Sequence, residues 1–302
     1  MCTFSLTIIF FLLNLYFCYN KFRCFCVFRL GMKIFISDLH LGDGSRTDDF
    51  HRDKEFLEFL KFVEDEAGEL IILGDFLELW QADLDKVLFC HSKIINKILS
   101  LRSKVKVTYV VGNHDYIPFI RFINSEWGIS LEYQDKEAGI VAEHGHRYDI
   151  FNRYKNPLRS ISWPPGRRFT LFVAGLERFI HPDIDKWTKK VTENLDEFLQ
   201  EAISVRNKIS PSTREYLRCG GHFGEFQEAV ELHIQKGAKI VIFGHTHRAQ
   251  LEQLDRGIYA NCGAWVDGVE PTYISYTQDK IALTEAITHK TVRQIQLKNR
   301  EG

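Results

Sequence analysis

Apolar positions along this chain follow two patterns, and the switch between them outlines the fold. Lys33-Ile34-Phe35-Ile36-Ser37 and Lys239-Ile240-Val241-Ile242-Phe243 are short, nearly continuous apolar runs rich in β-branched residues, and Lys106–Val111 is a third. Runs of this kind closed by Gly, Asp or Asn predict strands buried on both faces. Between them, His51–Val63 carries Phe56, Leu57, Phe59, Leu60 and Val63 at helical spacing, and Leu84–Leu101 reads as a second, single helix. After His247, short alternating segments at Ala249–Leu254, Gly257–Ala260, Thr272–Tyr276, Ile281–Ala286 and Val292–Leu297 read as antiparallel strands. The pattern predicts an α/β class in which two sheets are flanked by helices.

From 149 to 223 the strand pattern stops. A basic stretch leads to Trp163-Pro164-Pro165-Gly166-Arg167-Arg168 and an apolar run, Phe169–Ile180. From Asp183, Ile184, Trp187, Val191, Leu195, Phe198 and Ala202 recur at spacings of three and four, which predicts a long helix with one apolar face. Ser212 with Glu215 forms a capping-box pattern, and Gly220-Gly221 closes that helix. The expected organisation is a core of residues 32–148 and 224–298, interrupted by a helical cap at 149–223.

Residues 1–31 stand apart. Thr3–Tyr19 is almost wholly apolar and is followed by Lys21, Arg23 and Arg29. As a membrane span it would leave the catalytic domain in the cytosol, because the positive charge lies on its C-terminal side. It lacks the basic start and small-residue site of a cleaved signal. The chain's second methionine, Met32, directly precedes the first strand, and the favoured expectation is a cytoplasmic protein that begins there. Four of the seven cysteines fall in this segment; Cys90, Cys219 and Cys262 remain, a scattered set that fits a reducing compartment.

At 302 residues, 45% hydrophobic and 26% charged, the chain can bury one large domain with an insertion. A net charge of −1 gives no global drive toward nucleic acid or an anionic membrane. That balance hides a segregation. Phe151–Lys190 carries Arg153, Lys155, Arg159, Arg167, Arg168, Arg178, Lys186, Lys189 and Lys190 against only Glu177, Asp183 and Asp185. Basic residues interleaved with aromatics in the cap would bind a substrate that has both phosphate and an apolar part. The blander reading is that these residues form a solvated face.

Candidate chemistry lies in five short blocks, each just after an apolar run: Asp38-Leu39-His40, Gly74-Asp75, Gly112-Asn113-His114-Asp115, His144-Gly145-His146 and Gly244-His245-Thr246-His247. They fall where strands end, the edge at which open α/β sheets bind ligands. Oxygen donors and imidazoles converging there are metal-site chemistry. Any one block alone is more often a turn cap than a ligand, but five in this order are not coincidental.

The ordered set resembles the calcineurin-like metallophosphoesterase family over about Lys33 to Trp265. The resemblance implies a four-layer α/β/β/α sandwich with the inserted helical cap. It further implies two divalent transition-metal ions, one held by Asp38, His40 and His247, the other by Asn113, His144 and His245, with Asp75 bridging. Mixed oxygen and imidazole donors suit Mn, Fe or Zn, and Mn is the expected ion. In that family the His114 position contacts the substrate phosphate or protonates the leaving oxygen; Asp115 beside it is expected to orient the ring and favour its charged form. His146 would either touch substrate or hydrogen-bond beside His144.

Protein phosphatases and diadenosine polyphosphatases of this superfamily have an arginine shortly after the bridging Asp. Here Asp75 continues Phe76-Leu77-Glu78-Leu79-Trp80. That continuation, with Gly244-His245-Thr246-His247-Arg248 and Gly263-Ala264-Trp265, is similar to UDP-2,3-diacylglucosamine hydrolases, which cleave the pyrophosphate of a lipid-linked nucleotide sugar. Those enzymes commonly have Arg where this chain has His114. The expected substrate is a phosphorylated small molecule or lipid-linked nucleotide, with His146, Arg153, Arg167 and Arg168 as binding residues. Contact with the inner membrane surface is expected and nucleic acid is not. The runner-up is a broad phosphodiesterase or nuclease. A non-catalytic scaffold is remote, because such scaffolds lose ligands and none is missing here. The sequence leaves the oligomeric state open.

Overall fold

The computed structural model describes residues 32–45, 48–79, 82–115, 129–146, 148 and 222–297. The apolar N-terminal segment and the predicted cap up to residue 221, with Arg153, Arg167 and Arg168, lie outside these residues. Among the described residues no helix is long and apolar enough to cross a membrane.

Strands β1 (Met32–Ile36), β2 (Ala67–Leu73), β3 (Lys106–Val110) and β4 (Ile129–Ser130) lie parallel side by side. Strands β5 (Tyr133–Asp135), β6 (Ile140–Ala142), β7 (Ile240–Phe243), β8 (Gln250–Gln253) and β9 (Ile258–Asn261) form a second sheet in the order β5-β6-β7-β9-β8. The chain then returns to the first sheet as β10 (Thr272–Tyr276), β11 (Lys280–Glu285) and β12 (Thr291–Gln296), antiparallel on the free side of β1. The expectation of antiparallel strands after His247 needs one correction. Strand β9 pairs antiparallel with β8 but parallel with β7.

Side chains that alternate along each strand separate the layers. In the first sheet Ile34, Ile36, Leu70 and Ile72 face helices α1 (Asp53–Glu66) and α3 (Ser92–Leu101), packing with Phe56, Phe59, Ile94 and Ile98. Phe35, Ile71 and Leu73 point the other way and meet Ile240, Ile242 and Ala260 of the second sheet. Val241 and Phe243 turn outward onto Ala229 and Val230 of α4 (His222–Gln235). The order of layers is α/β/β/α.

The single helix expected over Leu84–Leu101 is two, α2 (Leu84–Cys90) and α3, broken at His91. His91 is buried, with its Nδ1 3.1 Å from Asp53 Oδ1 and its ring packed edge-on against Phe50. That inward anchor bends the chain where periodicity alone would continue it. Trp265 is fully buried between Phe56 and Phe59, with ring centroids 4.9 and 5.0 Å away. Truncating such a side chain costs about 3–5 kcal/mol. Its backbone N–H donates to Asp38 O at 2.9 Å, so the core bears directly on the first block.

Candidate metal centre

All five blocks leave the sheets at the C-terminal ends of parallel strands, three from β1, β2 and β3 and two from β6 and β7. The turns that follow are sharp. Asp38, His40, Asp75, His245 and His247 take left-handed backbone, with φ of 56°, 51°, 50°, 70° and 57°. Non-glycine residues seldom adopt this region, and clusters of them gather at functional sites. Backbone hydrogen bonds lock the first two turns together: Asp38 N–H to Gly74 O, His40 N–H to Asp75 O and Glu78 N–H to Leu41 O, at 2.9–3.1 Å. Gly112 must be glycine, since a Cβ there would lie 2.1 Å from Asp75 Oδ1.

The side chains form two clusters of metal-ligating atoms, Asp38 with His40 and His247, and Asp75 with His144 and His245. In the first, Asp38 Oδ1 is 3.3 Å from His247 Nε2 and 3.8 Å from His40 Nε2. Asp75 stands between the clusters, with Oδ2 3.0 Å from His144 Nε2 and 3.8 Å from His40 Nε2. Asn113 Oδ1 is 3.1 Å from His144 Nε2. The sequence-predicted residues Asp38, His40, Asp75, Asn113, His144, His245 and His247 are thus brought together.

The donor set fits metal ions on two observations. Asp38 Oδ1 is buried and has no hydrogen-bond partner among the described residues. His144 Nδ1 donates to Leu73 O at 2.7 Å, so its Nε2 turns a lone pair toward the oxygens of Asn113 and Asp75. A lone pair facing two oxygens needs a cation or a proton between them. Without metal, the proton takes that role. Burial depresses the His144 imidazole, but the Asp75 and Asp38 carboxylates outweigh it and lift it to about 9. Burial likewise opposes ionisation of Asp38 and Asp75, yet the surrounding imidazoles, His144 foremost, hold both well below the usual carboxylate range.

His40 donates Nδ1–H to Glu78 Oε2 at 2.8 Å, leaving Nε2 toward the cluster. The same Oε2 lies 2.6 Å from His114 Nδ1. Glu78 is buried, which favours its neutral form, but His114 and His40 together bring it down to about 2. Here the structure corrects the expectation for Asp115. Its carboxylate turns away from the His114 ring and accepts the backbone N–H of Leu77 at 2.8 Å and of Gly112 at 3.1 Å. Burial and the nearby Asp75 raise it to about 6. The carboxylate that orients His114 is Glu78, which sequence reasoning missed. The available signal was its place three residues after Asp75 in the same turn. The His146 ring lies 5.3 Å from that of His144 and 6.4 Å from that of His245, beside the second cluster.

A family profile described as calcineurin-like phosphoesterase matches residues 34–249. The UDP-2,3-diacylglucosamine hydrolase of Proteus mirabilis (strain HI4320) is 26% identical over 274 residues, covering 83% of this chain and 98% of that protein. Its namesake from Coxiella burnetii (strain Dugway 5J108-111) is 26% identical over 260 residues, covering 82% and 93%. Among solved structures, Yfce, a phosphoesterase from E. coli, gives a TM-score of 0.44 at 13% identity, covering 88% of this chain and 100% of that one.

Proposed function

Because the chain belongs to the calcineurin-like phosphoesterase family and is a metal-dependent hydrolase of phosphoric esters or anhydrides, we propose that it uses two metal ions to cleave the pyrophosphate of UDP-2,3-diacylglucosamine or of a related lipid- or nucleotide-linked metabolite. One observation carries the two-ion reading: two clusters of ligating atoms meet at the single carboxylate of Asp75. Asp38, His40 and His247 would hold one ion, Asn113, His144 and His245 the other, with Asp75 shared. The mixed oxygen and nitrogen donors favour Mn, with Fe and Zn as alternatives.

When bound, such ions neutralise charge on the phosphate oxygens and lower the pKa of a water. The chain's own residues do the rest. Glu78 accepts the His114 Nδ1 proton, so Nε2 is the atom available to the substrate. From there a protonated His114 can donate to a phosphate oxygen or to the leaving oxygen. Asp115 contributes indirectly, by holding the Gly112 turn closed behind Asn113 and His114.

Support for a lipid-linked substrate comes from the relatives of that name, which align over about four fifths of the chain. The basic and aromatic stretch Phe151–Lys190 adds the chemistry such a substrate needs, arginine for diphosphate and apolar surface for acyl chains. Arg153, Arg167, Arg168 and His146 are its proposed contacts, and the protein would work in the cytoplasm against the inner membrane face. His114, where the resembled hydrolases commonly carry Arg, favours a second reading as a broader phosphodiesterase.

The test is hydrolysis by the Mn-reconstituted protein of UDP-2,3-diacylglucosamine, a generic phosphodiester, a phosphomonoester and single-stranded nucleic acid. A kcat/KM for UDP-2,3-diacylglucosamine far above the others is expected. Equal turnover of the generic diester would replace this reading with the broader one.

A further inference from the structure

Outside the metal centre, the described residues contain one more group of ligating side chains, Glu132, Glu143 and His233. Glu143 is 1% exposed and immediately follows β6, where its backbone N–H donates to Ile242 O at 3.1 Å. Its Oε1 accepts the Tyr148 hydroxyl at 2.6 Å and His233 Nε2–H at 2.8 Å. Tyr148 O also lies 3.1 Å from His233 Nε2, so the three side chains form a triangle centred on the carboxylate.

The location of this triangle gives it a consequence. Glu143 and Tyr148 are the two ends of the short segment that carries His144 and His146. Between them the chain reverses: Gly145 sits at φ 101°, and Tyr148 N–H donates to Gly145 O at 2.9 Å. Gly244 N–H donates to His144 O at 3.1 Å, joining this segment to the turn that carries His245. The Tyr148 ring stacks on Phe243, the last residue of β7, with centroids 5.6 Å apart and planes at 27°. The third corner, His233, comes from α4 in the outer layer.

An apolar trio of similar volume would seal α4 onto the sheet without desolvating a carboxylate. A buried polar triangle instead favours this arrangement of the segment, because breaking it takes two hydrogen-bond donors from the Glu143 carboxylate. We propose that Glu143, Tyr148 and His233 are positioning residues that clamp the Glu143–Tyr148 segment and so set His144 and His146 for metal and substrate. This rests on the two-metal reading above.

The test uses full-length protein and Mn2+ binding measured by calorimetry, with turnover of bis(p-nitrophenyl) phosphate as a second readout. Tyr148→Phe removes one oxygen and should weaken Mn2+ binding about 10-fold, the low end of what losing an outer hydrogen-bond partner costs a metal site. His233→Ala should do the same, while His233→Gln, which keeps an N–H donor at the same reach, should restore near wild-type affinity. Because both act through Glu143, the double variant Tyr148→Phe/His233→Ala should bind less weakly than the product of the two single losses. With Mn2+ saturating, the single variants should recover kcat but keep a raised KM, through displaced His146. Rescue by glutamine is the result a mere loss of packing would not give. If wild-type protein binds Mn2+ and both single variants bind it equally well, the clamp is overturned and the metal reading stands. Wild-type protein that binds no Mn2+ overturns both. Should His233→Ala fail to fold, Tyr148→Phe alone decides by the same criterion.

Discussion

Glu78 Oε2 lies 2.6 Å from His114 Nδ1, and the same oxygen takes the His40 Nδ1–H at 2.8 Å. One carboxylate atom therefore ties a candidate ligand to the residue proposed to meet substrate. The expected consequence separates the two partners. His114→Ala should lower kcat by about 10²–10⁴ with metal content unchanged, the usual range for a lost acid–base group. Glu78→Ala should cost turnover comparably and also weaken metal binding by about 10–100-fold, because His40 loses its orienting partner. Metal affinity that survives Glu78→Ala intact would show that this contact does not serve the centre.

Asp75 is the carboxylate proposed to be shared by both ions, so Asp75→Ala should leave the fold intact and abolish nearly all hydrolysis. Metal analysis of wild-type protein at saturating Mn should give two ions per chain. A single ion with full activity would refute the shared-ligand arrangement.

Proton and metal compete for the same imidazole lone pairs, which makes stability depend on pH in the chelated protein. His144 is raised from 6.5 to about 9 in the folded state, and His40 is raised in the same direction. A raised group contributes stability that is complete below its unfolded value and is lost as pH climbs through its folded one. In EDTA the Tm should thus fall between about pH 6.5 and 9, and saturating Mn should largely remove that fall. At the acid end Glu78, lowered to about 2, contributes stability that fades as pH drops below its ordinary 4.5. Thermal melts across pH with and without metal check both limbs. A profile in EDTA that stays flat from pH 6.5 to 9 would mean these imidazoles are neutral without metal.

Arg167 and Arg168 carry the substrate prediction. Replacing both with Ala should raise KM for a lipid-linked diphosphate while turnover of a small phosphodiester stays near wild type. Equal losses on both substrates would assign the two arginines a structural role, and no loss on either would remove the main local support for a lipid-linked substrate.

The strands were legible because each central one is apolar on both faces, as in Ile34–Ile36 and Ile240–Phe243, a pattern that survives any tertiary context. The convergence of the seven candidate ligand residues was legible because all five blocks directly follow parallel strands that end at one edge. What failed was contact across turns. His114 was paired with its sequence neighbour Asp115, whereas left-handed backbone at Asp75 swings the next turn so that Glu78 arrives instead. The break at His91 was hidden for a similar reason, since its cause is a long-range contact with Asp53. Helix α4 drew no prediction because Gly220-Gly221 read as an end, with nothing after it to mark a new start.

The left-handed residues have a bearing on how this protein can change. Each of Asp38, His40, Asp75, His245 and His247 holds a backbone shape that costs an ordinary side chain about 1 kcal/mol and costs glycine little. On backbone grounds alone, glycine would therefore be favoured at the very positions that would ligate metal. A lineage released from the need to hydrolyse phosphate could shed that local strain, though only by giving up the hydrogen bonds these side chains make.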